Sequence, residues 1–211
     1  MKALVRPLPG PQHLNDFTGG LHHWNCATKS EIWPFLEEMQ GSFCAYCECF
    51  LDKRHIEHFR TRNSHPDLTF DWSNLFGSCC GKLRCGTFKE NGAGTYNPDH
   101  IIKPDIDNPD DYLLFLTTGK VIPAKGLHGQ KLIKAQETIR VFNLNGDSAL
   151  FGRRSTALKL ELKNILALND EENHIPETEF LELLQSEIED VEQREFSTAL
   201  RHGWRFNDAY E

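Results

Sequence analysis

Apolar side chains recur at three- and four-residue intervals over the last third of the chain, where the pattern predicts helices. Leu132, Ile133, Ala135, Ile139 and Val141 follow Gly129 in this way, and a second run covers residues 148 to 168. A third run, residues 176 to 201, sets Phe180, Leu183, Leu184, Ile188, Val191 and Phe196 near one face and fills the rest with Glu and Asp. Upstream, Ser30, the stretch 31 to 40 and then Gly41 read as a short capped helix, with Pro34 falling in its first turn. Residues 112 to 116 and 121 to 123, joined across Gly119, read as a β-hairpin. Between 43 and 89 the pattern predicts a short two-stranded ribbon around 54 to 59, then a polar loop broken at His65-Pro66-Asp67, then a helix opening near Asn74. Residues 90 to 111 read as loop. Residues 1 to 27 are rich in Pro, Gly, His and Asn but include Trp24 and several leucines, so they are expected to wrap on a core as an extended arm.

Composition narrows this picture. With 211 residues and 39% hydrophobic content, the chain can bury one substantial core with an extension. No run of eighteen apolar residues occurs and the N-terminus lacks an apolar leader, so a cytoplasmic protein with no membrane association is expected. The net charge of −8 is unevenly spread: residues 161 to 211 hold 4 Lys+Arg against 14 Asp+Glu, and the remainder holds 19 against 17. The acidity is a C-terminal property. Lys53, Arg54, Arg60, Arg62, Lys82, Arg84 and Lys89 could instead form a local positive surface against phosphates.

The densest chemistry lies between Cys44 and Lys89. Cys44-x2-Cys47 and Cys79-x5-Cys85 offer four thiolates to one tetrahedral Zn²⁺, which would close the intervening segment into a metal-pinned loop. Seven cysteines with four in metal-ligand spacing suit a reducing compartment better than a disulfide framework. Cys26 and Cys49 are expected to be small buried side chains. Cys80 adjoins Cys79 and is an alternative ligand. The pinned loop carries His55-Ile56-Glu57-His58 and then Asn74-Leu75.

In that order, Cys44, Cys47, Glu57, His58, Asn74, Leu75, Cys79, Cys85 and Lys89 resemble the ββα-metal motif of HNH endonucleases. The stretches Cys44-Ala-Tyr-Cys47-Glu48, Ile56-Glu57-His58-Phe59 and Asp71-Trp72-Ser73-Asn74-Leu75-Phe76 resemble, further, the PtuB-type HNH subunits of Septu and retron-associated anti-phage systems. That likeness extends to Arg6-Pro7, Ile102-Lys103-Pro104, residues 119 to 123 and Leu144-Asn145. It implies an α+β fold: a zinc-stapled ββα-metal nuclease core at 43 to 105, an N-terminal arm and short helix at 1 to 42, and, at 106 to 211, a hairpin followed by an acidic helical region that docks a partner. The implied activity is metal-dependent hydrolysis of nucleic-acid phosphodiesters, most naturally DNA, with RNA such as tRNA as an alternative. The implied partners are a PtuA-like ATPase and, in a retron, a reverse transcriptase with its RNA–DNA product. No Gly-rich lysine motif for nucleotide phosphates occurs here, so an ATPase would act in trans. A zinc adaptor that cuts nothing is the competing reading.

Under the resemblance, His58 is the general base, since an imidazole near its ordinary pKa accepts a proton from water at neutral pH. Glu57 holds catalytic Mg²⁺ or Mn²⁺ as a hard oxygen ligand. Asn74 fixes the loop that aims the His58 ring. HNH enzymes usually place His or Asn after the last cysteine, but here that residue is Gly86. His55, which would share a strand face with Glu57, is the first candidate to complete the cation site, with Asp99 and His100 behind it.

Overall fold

The computed structural model describes residues 1–171 and 174–206. Among these the chain is α+β, as expected, with two separate two-stranded antiparallel sheets and six α-helices. One hydrophobic cluster runs through the molecule, from Met1 in the arm to Trp204 near the C-terminal end.

The first helix, α1 (Lys29–Gln40), starts earlier than the sequence pattern predicts. Pro34 therefore falls in its second turn, where the missing N–H leaves the Ser30 carbonyl without a helical donor. Burial of Ile32, Leu36 and Met39 holds the helix nonetheless. It ends at Gly41, whose φ of 65° reverses the chain into the first cysteine pair.

Strand β1 (Arg54–His58) pairs with β2 (Leu75–Cys79) in a register that sets Arg54 opposite Cys79 and His58 opposite Leu75. The helix expected to open near Asn74 is therefore a correction: a 3₁₀ turn at Trp72–Asn74 leads into β2, and the helix of the motif is α2 (Cys85–Asn91). All five residues of β2 are buried, so no polar alternation marks it as a strand. Its middle residue shows what fixes it. The Gln40 side chain accepts from Gly77 N–H (2.8 Å) and donates to Gly77 carbonyl (2.9 Å), standing in for a neighbouring strand. A Cβ at position 77 would lie 2.7 Å from Gln40 Nε2, so the approach requires glycine.

The predicted hairpin forms as β3 (Leu113–Phe115) and β4 (Val121–Pro123). Asn145 braces β4 by accepting from Val121 N–H and donating to Val121 carbonyl, at 2.9 and 2.8 Å. The buried Arg154 donates to the Gly119 and Leu144 carbonyls at 2.6 and 2.9 Å. Helices α3 (Gly129–Val141) and α4 (Ser148–Glu171) follow the predicted periodicity. The single run expected from 176 to 201 is instead α5 (Glu177–Val191) and α6 (Ser197–Arg205). The break occurs where Phe196 adopts a φ of 61° and donates its N–H to the Glu48 carbonyl (3.2 Å). Glu48 also receives Ser197 Oγ and Thr198 N–H, at 2.9 and 2.8 Å, and pairs with the Met1 ammonium. Burial alone would raise its carboxyl; the ammonium and these donors outweigh burial and hold it at about 2. No described helix is long and apolar enough to cross a membrane.

The arm lies on the motif. Leu4 N–H donates to Pro104 carbonyl (2.8 Å), and Arg6 reaches inward between the Trp72 and Phe76 rings, 4.7 and 4.6 Å from their centroids. Its guanidinium pairs with Asp105 (2.6 Å) and donates to the Trp72 and Leu75 carbonyls, at 2.7 and 3.1 Å. Removing one member of a buried ion pair costs about 3–5 kcal/mol because the other charge stays buried and uncompensated. Arg6→Ala is thus expected to lower the melting temperature by roughly ten degrees or more, measured by calorimetry, whereas a shift of a degree or two would show the arm to be a loose appendage.

Candidate functional site

Four sulfurs converge behind the ribbon. The Sγ atoms of Cys44, Cys47, Cys79 and Cys85 all lie within 4.8 Å of one another, and all four residues are buried. A tetrahedral Zn²⁺ with Zn–S bonds of about 2.3 Å needs sulfurs about 3.8 Å apart, and Cys47 and Cys79 stand at 3.9 Å. The set fits a structural zinc. Cys79, not the exposed Cys80, belongs to it. Hydrogen bonds from Cys44, Cys47 and Cys85 hold the Cys79 thiol below its ordinary value, while burial pushes the Cys44 and Cys85 thiols well above theirs. Of the two remaining cysteines, Cys49 is buried as expected but Cys26 is exposed on a 3₁₀ turn, a correction to its reading as core.

His58 ends β1 and is only 2% exposed. Its Nε2 lies 3.0 Å from the Thr69 carbonyl, which can accept only if that nitrogen carries the proton. The same bond leaves Nδ1 as a lone-pair nitrogen. The Trp24 ring of the arm stands edge-on to the imidazole, with centroids 4.5 Å apart and an interplanar angle of 80°. Burial is the chief cause that lowers the His58 pKa to about 4; the Thr69 carbonyl and Glu57 oppose it, and Arg62 and Lys89 add to it. Asn74 braces the loop that follows. Its Oδ1 accepts Arg60 N–H (2.7 Å), and its Nδ2 donates to the Arg60 and Leu68 carbonyls at 3.0 and 3.1 Å.

Glu57 points the other way from its neighbour, as alternation along a strand requires. It is 1% exposed, accepts the Tyr46 hydroxyl, and forms an ion pair with Lys89. Lys89 is sealed as well and donates to the His58 and Phe59 carbonyls at 2.6 and 2.9 Å, tying α2 to the end of β1. Burial alone would lower its pKa, but Glu57 outweighs that and keeps it an ammonium. Gly86 is explained by the same packing, since a Cβ there would stand 2.2 Å from Glu57 Cγ. A histidine or asparagine at 86 would need the space that the Glu57 side chain fills.

The expected divalent-cation site is not assembled in this arrangement. The Glu57 oxygens address Tyr46 and Lys89, while His55 Nδ1 lies 3.7 Å from Cys80 Sγ. Asp99 pairs with Arg60, and the cysteine cluster is the only convergence of three or more such ligands found among the described residues. The residues do not fit a resident Mg²⁺ or Mn²⁺ at Glu57, because a cation there would have to displace the buried Lys89 ammonium. Manganese EPR on the zinc-loaded protein is expected to show the same bound Mn²⁺ for wild type and Glu57→Gln. Loss of a stoichiometric site in the variant would restore Glu57 as a ligand.

The basic residues read as one positive surface separate into different roles. Lys89 is buried, and Arg54, Arg60 and Arg84 pair with Glu37, Asp99 and Asp147. Arg62 is exposed and takes part in no ion pair found among the described residues. Beside it a polar cavity of about 550 Å³ opens between the 61–65 loop and Tyr96, with Lys89 in its lining. Trp24, Tyr46 and Tyr96 belong to the site but were not singled out by sequence. Only Tyr46 carried a signal, its place inside Cys44-Ala-Tyr-Cys47.

No protein-family model matches the chain. Among curated proteins, Septu protein PtuB of Bacillus thuringiensis is 32% identical over 126 residues, 55% of this chain and 44% of that protein. A protein named as a candidate HNH endonuclease of retron Vc95, from Vibrio cholerae serotype O1 biovar El Tor, is 29% identical over 117 residues, 52% of this chain and 55% of that protein. The chain thus spans about half the length of the curated relatives it matches. The resemblance to PtuB-type HNH proteins, read from the motif residues, is borne out over that extent.

Proposed function

We propose that this chain is an HNH-type endonuclease subunit of an anti-phage defence system, cutting nucleic-acid phosphodiesters in complex with a PtuA-like ATPase. The observation that carries the reading is the state of His58: a neutral imidazole at the end of the zinc-pinned ribbon, with Nε2 engaged by the Thr69 carbonyl and Nδ1 left to accept a proton. Asn74 holds the loop beneath it, so the ring is aimed by fixed backbone. In the proposed reaction water bonds to phosphorus as His58 Nδ1 takes its proton, the P–O bond to the leaving sugar oxygen breaks, that oxygen takes a proton from solvent, and Arg62 offsets charge on the phosphate. DNA is the first substrate to test and RNA such as tRNA the second. A retron reverse transcriptase with its RNA–DNA product is a further partner of the same reading, and the acidic α5 face is a docking element for the ATPase.

The sealed Glu57–Lys89 pair favours a second reading, in which the chain is a zinc-binding adaptor of the ATPase that cuts nothing. Phage plating on bacteria carrying the complete system separates the two. The nuclease reading expects His58→Ala to lose protection while the protein stays folded. Full protection by that variant, together with loss in Cys44→Ser, would leave the adaptor.

A further inference from the structure

We infer that the polar cavity beside Lys89 seats one unpaired nucleotide of the substrate strand, with its phosphate on Arg62 and its base against Tyr96; the inference rests on the nuclease reading and deepens it. The cavity is joined to the reacting end of the ribbon. Lys89, which borders it, donates to the carbonyls of His58 and Phe59, so the cavity lies one side chain away from the residue proposed as base. Its volume of about 550 Å³ falls within the ~300–1,000 Å³ of pockets that take small organic ligands.

The walls are held by the fold. On one side His65 N–H bonds the Thr61 carbonyl (2.8 Å), closing the loop that carries Arg62. On the other, Arg140 donates to the carbonyls of Ala93 and Thr95, at 2.6 and 3.3 Å, fixing the strand of loop that presents Tyr96. The lining suits a nucleotide. Arg62 offers a planar cation to a phosphate, Asn63, Ser64 and Asn91 offer donors and acceptors, and the exposed Glu90 carboxylate in the same lining keeps the phosphate on the Arg62 side. Tyr96 is half-buried in the same lining, and its ring is a platform for stacking.

A duplex cannot use such a recess, because its bases are stacked inward and its backbone forms a convex ridge. A base that swings free of its stack can enter. The cavity therefore selects loops, bulges or single strands over continuous helix.

Fluorescence anisotropy tests this on zinc-loaded protein carrying His58→Ala, which removes cleavage from the readout. The probes are a labelled hairpin with an unpaired loop and a fully paired duplex of the same composition, each as DNA and as RNA. The hairpin is expected to bind more tightly. Adding Tyr96→Ala should weaken hairpin binding roughly tenfold or more and leave duplex binding unchanged. Tyr96→Phe, which keeps the ring but loses the hydroxyl, should bind like the parent. Arg62→Ala should weaken the hairpin and reduce the slope of log K against log salt by about 0.7. Equal affinity of the parent for hairpin and duplex, or undiminished hairpin binding by folded Tyr96→Ala, overturns the inference. Failure of the nuclease reading would show separately, as an absence of cleavage by wild type on a hairpin that it binds.

Discussion

Cys44→Ser is expected to abolish cooperative folding of the segment from the first cysteine pair to α2. The four sulfurs are buried together, and among the described residues no sheet has more than two strands. An isolated two-stranded ribbon is marginal in water, so a metal held by the four sulfurs would supply much of its stability. Structural zinc contributes about 10–16 kcal/mol in small metal-folded peptides. Loss of that amount is comparable to the whole stability of a typical domain, about 5–15 kcal/mol. Serine also leaves a hydroxyl among thiolates at a site with 1% exposure. Metal analysis with circular dichroism is the check. The wild type should retain about one zinc per chain and melt in one transition, while the variant should lose metal and melt broadly. A variant that keeps zinc and the wild-type transition would show that the cluster is dispensable to the fold.

His58→Ala is expected to do the reverse, removing activity and sparing structure. A positioned general base contributes about 100- to 10,000-fold to rate, and alanine removes it outright. The lost contacts are one hydrogen bond to Thr69 and an edge packed on Trp24, worth roughly 1–3 kcal/mol together. The pH dependence is a further mark of the ring. Folding lowers the His58 pKa from 6.5 to about 4, so between those values the unfolded chain binds a proton that the folded one does not. The stability contributed by keeping the ring neutral is fully present above about 6.5 and is lost as pH falls through 4, a difference on the order of 3 kcal/mol. In single-turnover kinetics the acid limb should accordingly lie well below the ordinary histidine range. An acid limb at about 6.5, or an unchanged rate in the alanine variant, would assign the base to another group.

How much of this the sequence disclosed follows from the range of the interactions. The four-cysteine cluster was legible because ligand spacing is local, and Asn74 stood out because it sits in a short motif. The segments of the resemblance outside the motif also find one another: Arg6 meets the loop after Ile102-Lys103-Pro104, and Asn145 meets Val121. Strand β2 was misread because its residues are buried on every side and its central glycine is specified by Gln40, 37 positions away. The break between α5 and α6 was invisible because the turning residue is an aromatic held by the Glu48 carbonyl, a contact that no local pattern encodes. Glu57 was assigned to a cation as a hard oxygen ligand within the motif. Its partners Tyr46 and Lys89 come from the first cysteine pair and from α2, so only the assembled core reveals that its charge is already compensated.

The central claim is that the zinc-pinned ribbon presents His58 for phosphodiester hydrolysis. Its most direct test is cleavage of labelled DNA and of total tRNA by the zinc-loaded chain, alone and with its ATPase, comparing wild type with His58→Ala of verified zinc content and melting temperature. The account predicts cut strands from the wild type and none above background from the variant. Equal cutting by both proteins, or none by either in a complex that protects cells from phage, would contradict it.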